Sequence, residues 1–381
     1  MESFDWKNLP FGYFKTDYNV RCYWRNGSWG KLEITSSEYI NMHMAATCLH
    51  YGQEAFEGLK AYRGRDGKVR LFRLEENVKR MADTAKYLLM KVVPPEIFME
   101  AVIKAVKLNE KYIPPYGTGA TLYIRPLLIG SGPEVGVKPS DEYLFMVFVT
   151  PVGPYFKEGF KPVDVIISRE YDRAAPLGTG HIKTGGNYAA SLMSIHKAHE
   201  MGYTTAVYLD AKEKKYVDEC GPANFYAVKN NTYITPDSKS ILPSITNKSI
   251  MELALDMGIK VERRPIPVSE LSTFEEVGQC GTAAVMAPIK SISDPDMEKV
   301  YTYCKDGKVG PISEKLCKRL MAIQFGEEHD KFGWTQIIDT NSDSDYFGIS
   351  KYTTGFKGIV QNVANQGHLL VKKYHLKLGK V

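Results

Sequence analysis

Two hydrophobic periods alternate along the chain. Residues 68–72 (KVRLF) switch between polar and apolar as a half-buried strand does, whereas Val78, Met81, Ala82, Ala85 and Leu89 recur at helical spacing within 75–90. A second helix is predicted over 95–108, and strands over 120–128 and 142–149, so the first part of the chain is expected to pack as α+β. Between 150 and 162 the text TPVGPYFKEGFKP interrupts both periods with three prolines and two glycines. That break places a linker at 152–161, between a small N-terminal domain (1–151) and a larger one (162–340). The second domain is expected to open with a strand at 163–168. A helix over 188–200 stops at Gly202, a strand over 204–209 runs into a polar turn at 211–215, and strands near Tyr216, Phe225 and Tyr233 read as a meander. A helix over 247–257 carries Ile250, Leu253, Ala254 and Met257 on one side, with Gly258 as its stop. No internal repeat is visible, and beyond about residue 340 the periods fade, so 341–381 is read as an unassigned basic extension.

Composition narrows the class. At 381 residues, 44% hydrophobic and 24% charged, the chain has material for more than one core, which excludes disordered and fibrous classes. The formal charge of +5 raises the question of a nucleic-acid partner. Residues 346–381, however, hold six lysines and no acid, so the remainder stands at −1 and no such partner is expected. The start MESFDWKNLP lacks the apolar core of a signal peptide, and no run reaches the length of a membrane span. Six scattered cysteines form no CxxC pair, which suits a reducing cytoplasm. His196, His199 and Glu200 match no metal-site spacing, and residues three and four apart usually form the wet face of a helix, so no metal is expected.

The most informative segment is 173–197, RAAPLGTGHIKTGGNYAASLMSIHK. Between its ends the only formally charged side chain is Lys183, set among Gly178, Gly180, Gly185 and Gly186. A lysine in a neutral, glycine-rich turn is open to close backbone approach by a ligand, and desolvation favours the free amine that Schiff-base chemistry needs; the alternative is an ordinary surface-loop lysine. Neither a P-loop nor a dinucleotide loop fits the same glycines, because Ile182 precedes Lys183 and Lys183 stands where GxGxxG needs its third glycine. Glu219, in KKYVDECGPANFYAV, follows a strand-like pair and precedes a turn, an acid that is either solvated or aimed at a cationic cofactor atom. ILPSITN (241–247) leads into a helix whose free N–H groups at Ile245 and Thr246 suit a phosphate, unless Thr246 is simply the N-cap. The turn at Gly281, Thr282 and Ala283 offers further N–H groups and a hydroxyl, and Arg80 is a candidate cation for the same anion, the alternative being an ordinary surface arginine.

Together these segments resemble the branched-chain amino acid aminotransferases, in the class of pyridoxal-phosphate enzymes shared with D-amino acid aminotransferase and aminodeoxychorismate lyase. The resemblance runs in unbroken order from about Phe14 to about Ile338 through YGQEAFEGLKAYRG, LFRLEENVKRM, LYIRPLLIG, the Lys183 segment, YVDECGPANF, ILPSITN and GTAAVMAP. It implies a two-domain α+β / α/β enzyme of fold type IV, like D-amino acid aminotransferase, with pyridoxal 5'-phosphate between the domains. Lys183 resembles the lysine that binds the cofactor covalently, Glu219 the acid that pairs with its ring nitrogen, and Tyr188 the phenol on its ring oxygen. Arg80, Ile245, Thr246 and Thr282 resemble the phosphate cradle, and Leu242 a further cofactor contact.

On the substrate side, Tyr51, Phe56, Gly58, Tyr123 and Tyr155 resemble a pocket for a branched aliphatic side chain. Arg125 resembles the residue that lets that pocket take the γ-carboxylate of glutamate, with Thr282 and Ala283 also at the substrate. The implied reaction transfers the amino group of leucine, isoleucine or valine to 2-oxoglutarate in a ping-pong cycle. The implied assembly is a cytoplasmic homodimer whose neighbouring subunit completes the pocket. Same-class alternatives are a D-amino acid aminotransferase and an aminodeoxychorismate lyase, against which the long N-terminal domain and LYIRP argue. Two departures stand out: Ala284 and Ala287 replace the redox CxxC of the mammalian enzymes, and Pro222 replaces a small hydroxyl residue.

Overall fold

The alternating and helical stretches assemble around two nine-stranded sheets. The computed structural model describes residues 4–154, 160–304 and 307–340; the extension expected at 341–381 and residues 155–159 of the linker expected at 152–161 lie outside them. The first sheet is antiparallel throughout, and its spine is the ladder of ten partner pairs between Thr121–Gly130 and Tyr143–Val152. Leu59–Arg63 and the edge strand Glu54–Phe56 both pair with Thr121–Gly130. Helices Leu74–Tyr87 and Pro95–Leu108 cover one face, where Val78, Met81, Phe98 and Val102 meet Leu71, Leu122 and Phe145 in one core. Burial of these side chains at about 25 cal/mol per Å² is what holds each amphipathic helix on the sheet. The predicted 75–90 helix ends earlier than its periodicity, at Tyr87, because Leu89 takes a left-handed φ of 54° and its side chain is exposed.

The second sheet curls until one end strand pairs with an interior strand. Val217–Cys220 pairs with Thr205–Leu209 on one side and with Ala223–Lys229 on the other, so six strands close a ring. Val165, Val207, Phe225, Val277 and Ile289 belong to one core formed by these strands, and closure leaves those six without a free edge. The strand read at 163–168 is Val163–Ser168, and the meander read near 216, 225 and 233 is present as three consecutive antiparallel strands. Three local results differ from the periodicity. Helix Gly185–Glu200 starts at Gly185 rather than 188, because the Glu54 carboxylate from the first sheet accepts the Gly185 N–H and compensates for two poor helix formers. Helix Ile245–Asp256 starts two residues before the predicted 247, because Ser244 caps it. Helix Pro311–Gln324 and strand Thr335–Ile338 were not read at all, and the latter returns to the first sheet beside Val69–Phe72.

Candidate active site

Lys183 lies where the two sheets meet, held by its own backbone. Its N–H donates to the Thr84 hydroxyl at 3.1 Å, on helix Leu74–Tyr87, and its carbonyl accepts from Phe56 N–H at 3.1 Å, on the edge strand. The ammonium donates to the Tyr188 hydroxyl oxygen at 2.6 Å and sits 4.6 Å from the centre of the Phe56 ring. Burial first, and then repulsion from Arg80, lower the Lys183 pKa to about 8. The site therefore holds the amine far closer to its neutral, nucleophilic form than a surface lysine would be. Tyr188 moves the other way: burial and the Glu219 charge raise it to about 12, so it remains a phenol able to donate.

Glu219 is 2% exposed, not the solvated turn residue that its sequence context also allowed. One oxygen accepts from Leu242 N–H at 2.9 Å and from Asn224 Nδ2 at 3.2 Å, and the other pairs with Arg173. Burial pushes the carboxyl up to about 7, against the pull of Arg173 and the Leu242 N–H. Arg173 escaped the sequence reading as a site residue. The available signal was that a buried acid demands a cation, and Arg173 borders the Lys183 segment. Its guanidinium also donates to the carbonyls of Ser240 at 2.8 Å and Gly180 at 3.2 Å, tying the Lys183 loop to the segment between strand Thr232–Pro236 and helix Ile245–Asp256.

The anion cradle forms on the next element. Ser244, not Thr246, is the N-cap of Ile245–Asp256, its hydroxyl accepting from Asn247 N–H at 3.1 Å. Among the described residues, the Ile245 and Thr246 N–H groups donate to no backbone carbonyl, which leaves them for an anion at the positive helix end. Arg80 reaches the same place, donating to the Pro243 carbonyl at 3.0 Å. Behind it, fully buried Glu57 holds the guanidinium through two bonds of 2.7 and 2.8 Å and accepts from Asn77 at 2.8 Å. Thr282 and Ala283 occupy the hairpin turn between strands Glu276–Gly281 and Val285–Asp294. Thr246 and Thr282 line one small cavity, and Tyr188, Glu219 and Leu242 line another. A cleft of about 730 Å³ lies beside these two and shares Asn224, Leu242 and Ile245 with them.

Phe56, Tyr123 and Arg125 surround the amine on the first sheet's side. Arg125 stacks on both rings, 4.9 and 5.3 Å from their centres, and donates to the Tyr123 hydroxyl at 3.1 Å. Its Nε is buried without an acceptor among the described residues, a desolvated donor suited to a carboxylate. Gly58 is required beside it, since a Cβ there would strike the Tyr123 hydroxyl. Tyr51 is not in this cluster: it is the exposed last residue of helix Thr47–Tyr51, its hydroxyl donating to the Val135 carbonyl. Tyr155 lies outside the described residues. His196 and Glu200 pair on the exposed face of their helix at 3.3 Å.

Known proteins are similar to this chain over most of its length. Residues 54–292 match the model of the amino-transferase class IV family. The chain is 45% identical over 346 residues to a branched-chain-amino-acid aminotransferase of Haemophilus influenzae, covering 89% of this chain and all of that one. It is also 45% identical to the enzyme of that name from Helicobacter pylori, over 88% of this chain and 98% of the relative. The crystal structure of the Escherichia coli branched-chain amino acid aminotransferase superimposes with a TM-score of 0.72 at 29% identity, over 85% of this chain and 100% of that one. A T.th. branched-chain amino acid aminotransferase with pyridoxamine 5'-phosphate superimposes at 0.69 and 26% identity, over 84% and 98%.

Proposed function

The chain belongs to the class IV amino-transferases, and from that premise we infer that it is a pyridoxal-phosphate-dependent transaminase of branched-chain amino acids, with 2-oxoglutarate as the acceptor. The observation that carries this reading is the buried Lys183 amine, lowered to about 8 and 2.6 Å from the Tyr188 phenol. The donor set fits the cofactor. Lys183 offers a nucleophilic amine, Glu219 an anchored carboxylate for a ring nitrogen, Tyr188 a phenol for a ring oxygen, and Arg80, Ile245, Thr246 and Thr282 the donors for a phosphate. When bound, pyridoxal phosphate supplies a ring that accommodates negative charge at the substrate's α-carbon.

The protein's own groups do the rest. Lys183, once released from its covalent role, has an amine able to take the α-proton and return one on the other side of the transfer. Glu219, held by Arg173, Asn224 and the Leu242 N–H, keeps its carboxylate aimed and dry. Phe56 and Tyr123 give the side-chain pocket its apolar walls, while Arg125 with its spare Nε accepts the γ-carboxylate of glutamate in the same space. Lys183→Ala should abolish turnover of leucine and the borohydride-trappable adduct with the cofactor. Substantial surviving activity refutes the assignment, and an amino-donor panel scored for chirality and branching separates it from a D-amino acid aminotransferase or a lyase of the class.

The same reading places the chain in a cytoplasmic homodimer, with domains 1–151 and 162–340 joined at 152–161, the second domain lending strand Thr335–Ile338 to the first sheet, and the cofactor between them. Support for the dimer is an apolar surface around Tyr51: Met44, Leu49, Val135 and Val137 are exposed beside it. That position suits a side chain lent to the partner's pocket. All six cysteines are unpaired, in keeping with a reducing compartment, and among the described residues no helix is long and apolar enough to cross a membrane. No nucleic-acid role is included.

A further inference from the structure

One carboxylate near the amine has no part in the assignment above. Glu54 opens the edge strand Glu54–Phe56 and pairs with Ile129 in the ladder, so its side chain emerges on the sheet face that carries Phe56 and Arg125. An acid on that face could pair with Arg125, yet the arginine Nε stays without an acceptor among the described residues. Glu54 turns instead to the Lys183 segment. Its Oε1 accepts the Gly185 N–H and, at 3.4 Å, the Thr184 hydroxyl, which also donates to the Glu54 carbonyl at 2.9 Å.

Thr184 has the residue type and the extended backbone of an N-cap, but its hydroxyl caps nothing in its own helix. The first helical N–H is met by a carboxylate from the other sheet, at the helix end where negative charge is most favourable. The approach is so close that a Cβ on Gly185 would strike that carboxylate, which requires glycine where alanine is the better helix former. Burial raises the Glu54 pKa, and the Gly185 N–H is the largest influence holding it down. Lys183 and Tyr188 lie on either side of this helix start, so their 2.6 Å contact spans the junction that Glu54 fixes. The same short strand holds the Lys183 carbonyl through the Phe56 N–H at 3.1 Å.

We propose that Glu54 is a positioning residue for Lys183: its carboxylate caps the helix that begins at Gly185 and thereby fixes the Lys183 amine against the Tyr188 phenol. Holding that carboxylate on the helix also leaves Arg125 open. The proposal rests on the transaminase reading. It explains why a helix with a threonine in place to cap it takes its cap from a distant strand, since a cap from that strand ties the amine and the substrate-side face together.

The test uses the full-length holoenzyme. Glu54→Ala should lower kcat for leucine about 10- to 100-fold, leave KM within about threefold, and shift the visible band of the bound cofactor. Hydrogen exchange at the Gly185 amide, a readout independent of turnover, should become at least about tenfold faster. Glu54→Gln keeps an accepting oxygen without the charge, and should return kcat, band and amide exchange to within about threefold of the parent. Gly185→Ala displaces the carboxylate while leaving it in the chain. It should lower kcat as far as Glu54→Ala does, and the double variant should fall no more than about threefold below either, because both act through one contact. Unchanged kcat or amide protection in Glu54→Ala, a rise in KM alone, Glu54→Gln as impaired as Glu54→Ala, or losses that multiply in the double variant overturns the proposal. If Glu54→Ala does not fold, the other two decide: Glu54→Gln near the parent with Gly185→Ala impaired supports the role, and any other combination overturns it. A parent enzyme inactive on leucine refutes the transaminase reading itself, a result distinguishable from an active parent with an unaffected Glu54→Ala.

Discussion

Replacing Arg173 by methionine isolates the electrostatics of Glu219, because the two groups pair in a space from which water is nearly excluded. In the parent, Glu219 titrates at about 7 rather than 4.5, with burial as the largest cause. A carboxyl raised in the folded state binds more protons there than in the unfolded chain. Its contribution to stability is therefore zero below about pH 4, falls as pH rises from about 4.5 to 7, and is flat above about 8. The total decline is about 3 kcal/mol, at about 1.4 kcal/mol per pH unit. Without the guanidinium the strongest cationic pull is gone, leaving the weaker one of Lys183, and a buried glutamate reaches a pKa of about 9. The variant should then continue to lose stability between pH 7 and 9, falling about 3 kcal/mol further behind the parent, in line with the ~3–5 kcal/mol cost of breaking a buried pair. A pH-independent offset of about 1 kcal/mol for each orphaned carbonyl, Gly180 and Ser240, should appear at every pH. Urea unfolding of both cofactor-free proteins from pH 5 to 9 reads the difference, in which other titrating groups cancel. Parallel curves would show that Arg173 does not control the Glu219 charge and would refute the reasoning.

Ser244→Ala removes the N-cap and should cost about 1 kcal/mol in urea unfolding; it should also weaken cofactor retention on dialysis, and retention equal to the parent would count against the helix end as a phosphate site. Gly58→Ala forces the Tyr123 hydroxyl, and with it Arg125, out of place, so KM for 2-oxoglutarate should rise at least tenfold in steady-state assays. Tyr188→Phe removes the phenol beside Lys183, and a drop in kcat of about 10- to 100-fold with a shifted visible absorbance band is expected; a spectrum identical to the parent's would remove Tyr188 from the ring site.

Much of the site was legible because it is local. Lys183 stood out as a lone charge among four glycines, and ILPSITN announced a helix start with free N–H groups; both needed only neighbours in sequence. The resemblance added roles that spacing cannot supply, such as Glu219 as a ring partner. Arg173 went unread for a physical reason: an exposed arginine and one paired with a buried acid look the same along the chain, and only the fold brings it to its partner.

By itself the sequence determined the periods that make Leu74–Tyr87 and Pro95–Leu108 amphipathic, the strand at Val163–Ser168 and the glycine-rich setting of Lys183, since each depends on side-chain spacing within one element. The tertiary structure decided which distant groups share a dielectric. It closed six strands into a ring, returned Thr335–Ile338 to the first sheet, began the Gly185–Glu200 helix at a carboxylate borrowed from Glu54, and set Glu57 against Arg80 and Glu219 against Arg173. Periodicity reports only that a face is buried; what it is buried against, and therefore which charges are paired and which amine loses its proton, follows from the order of strands in space.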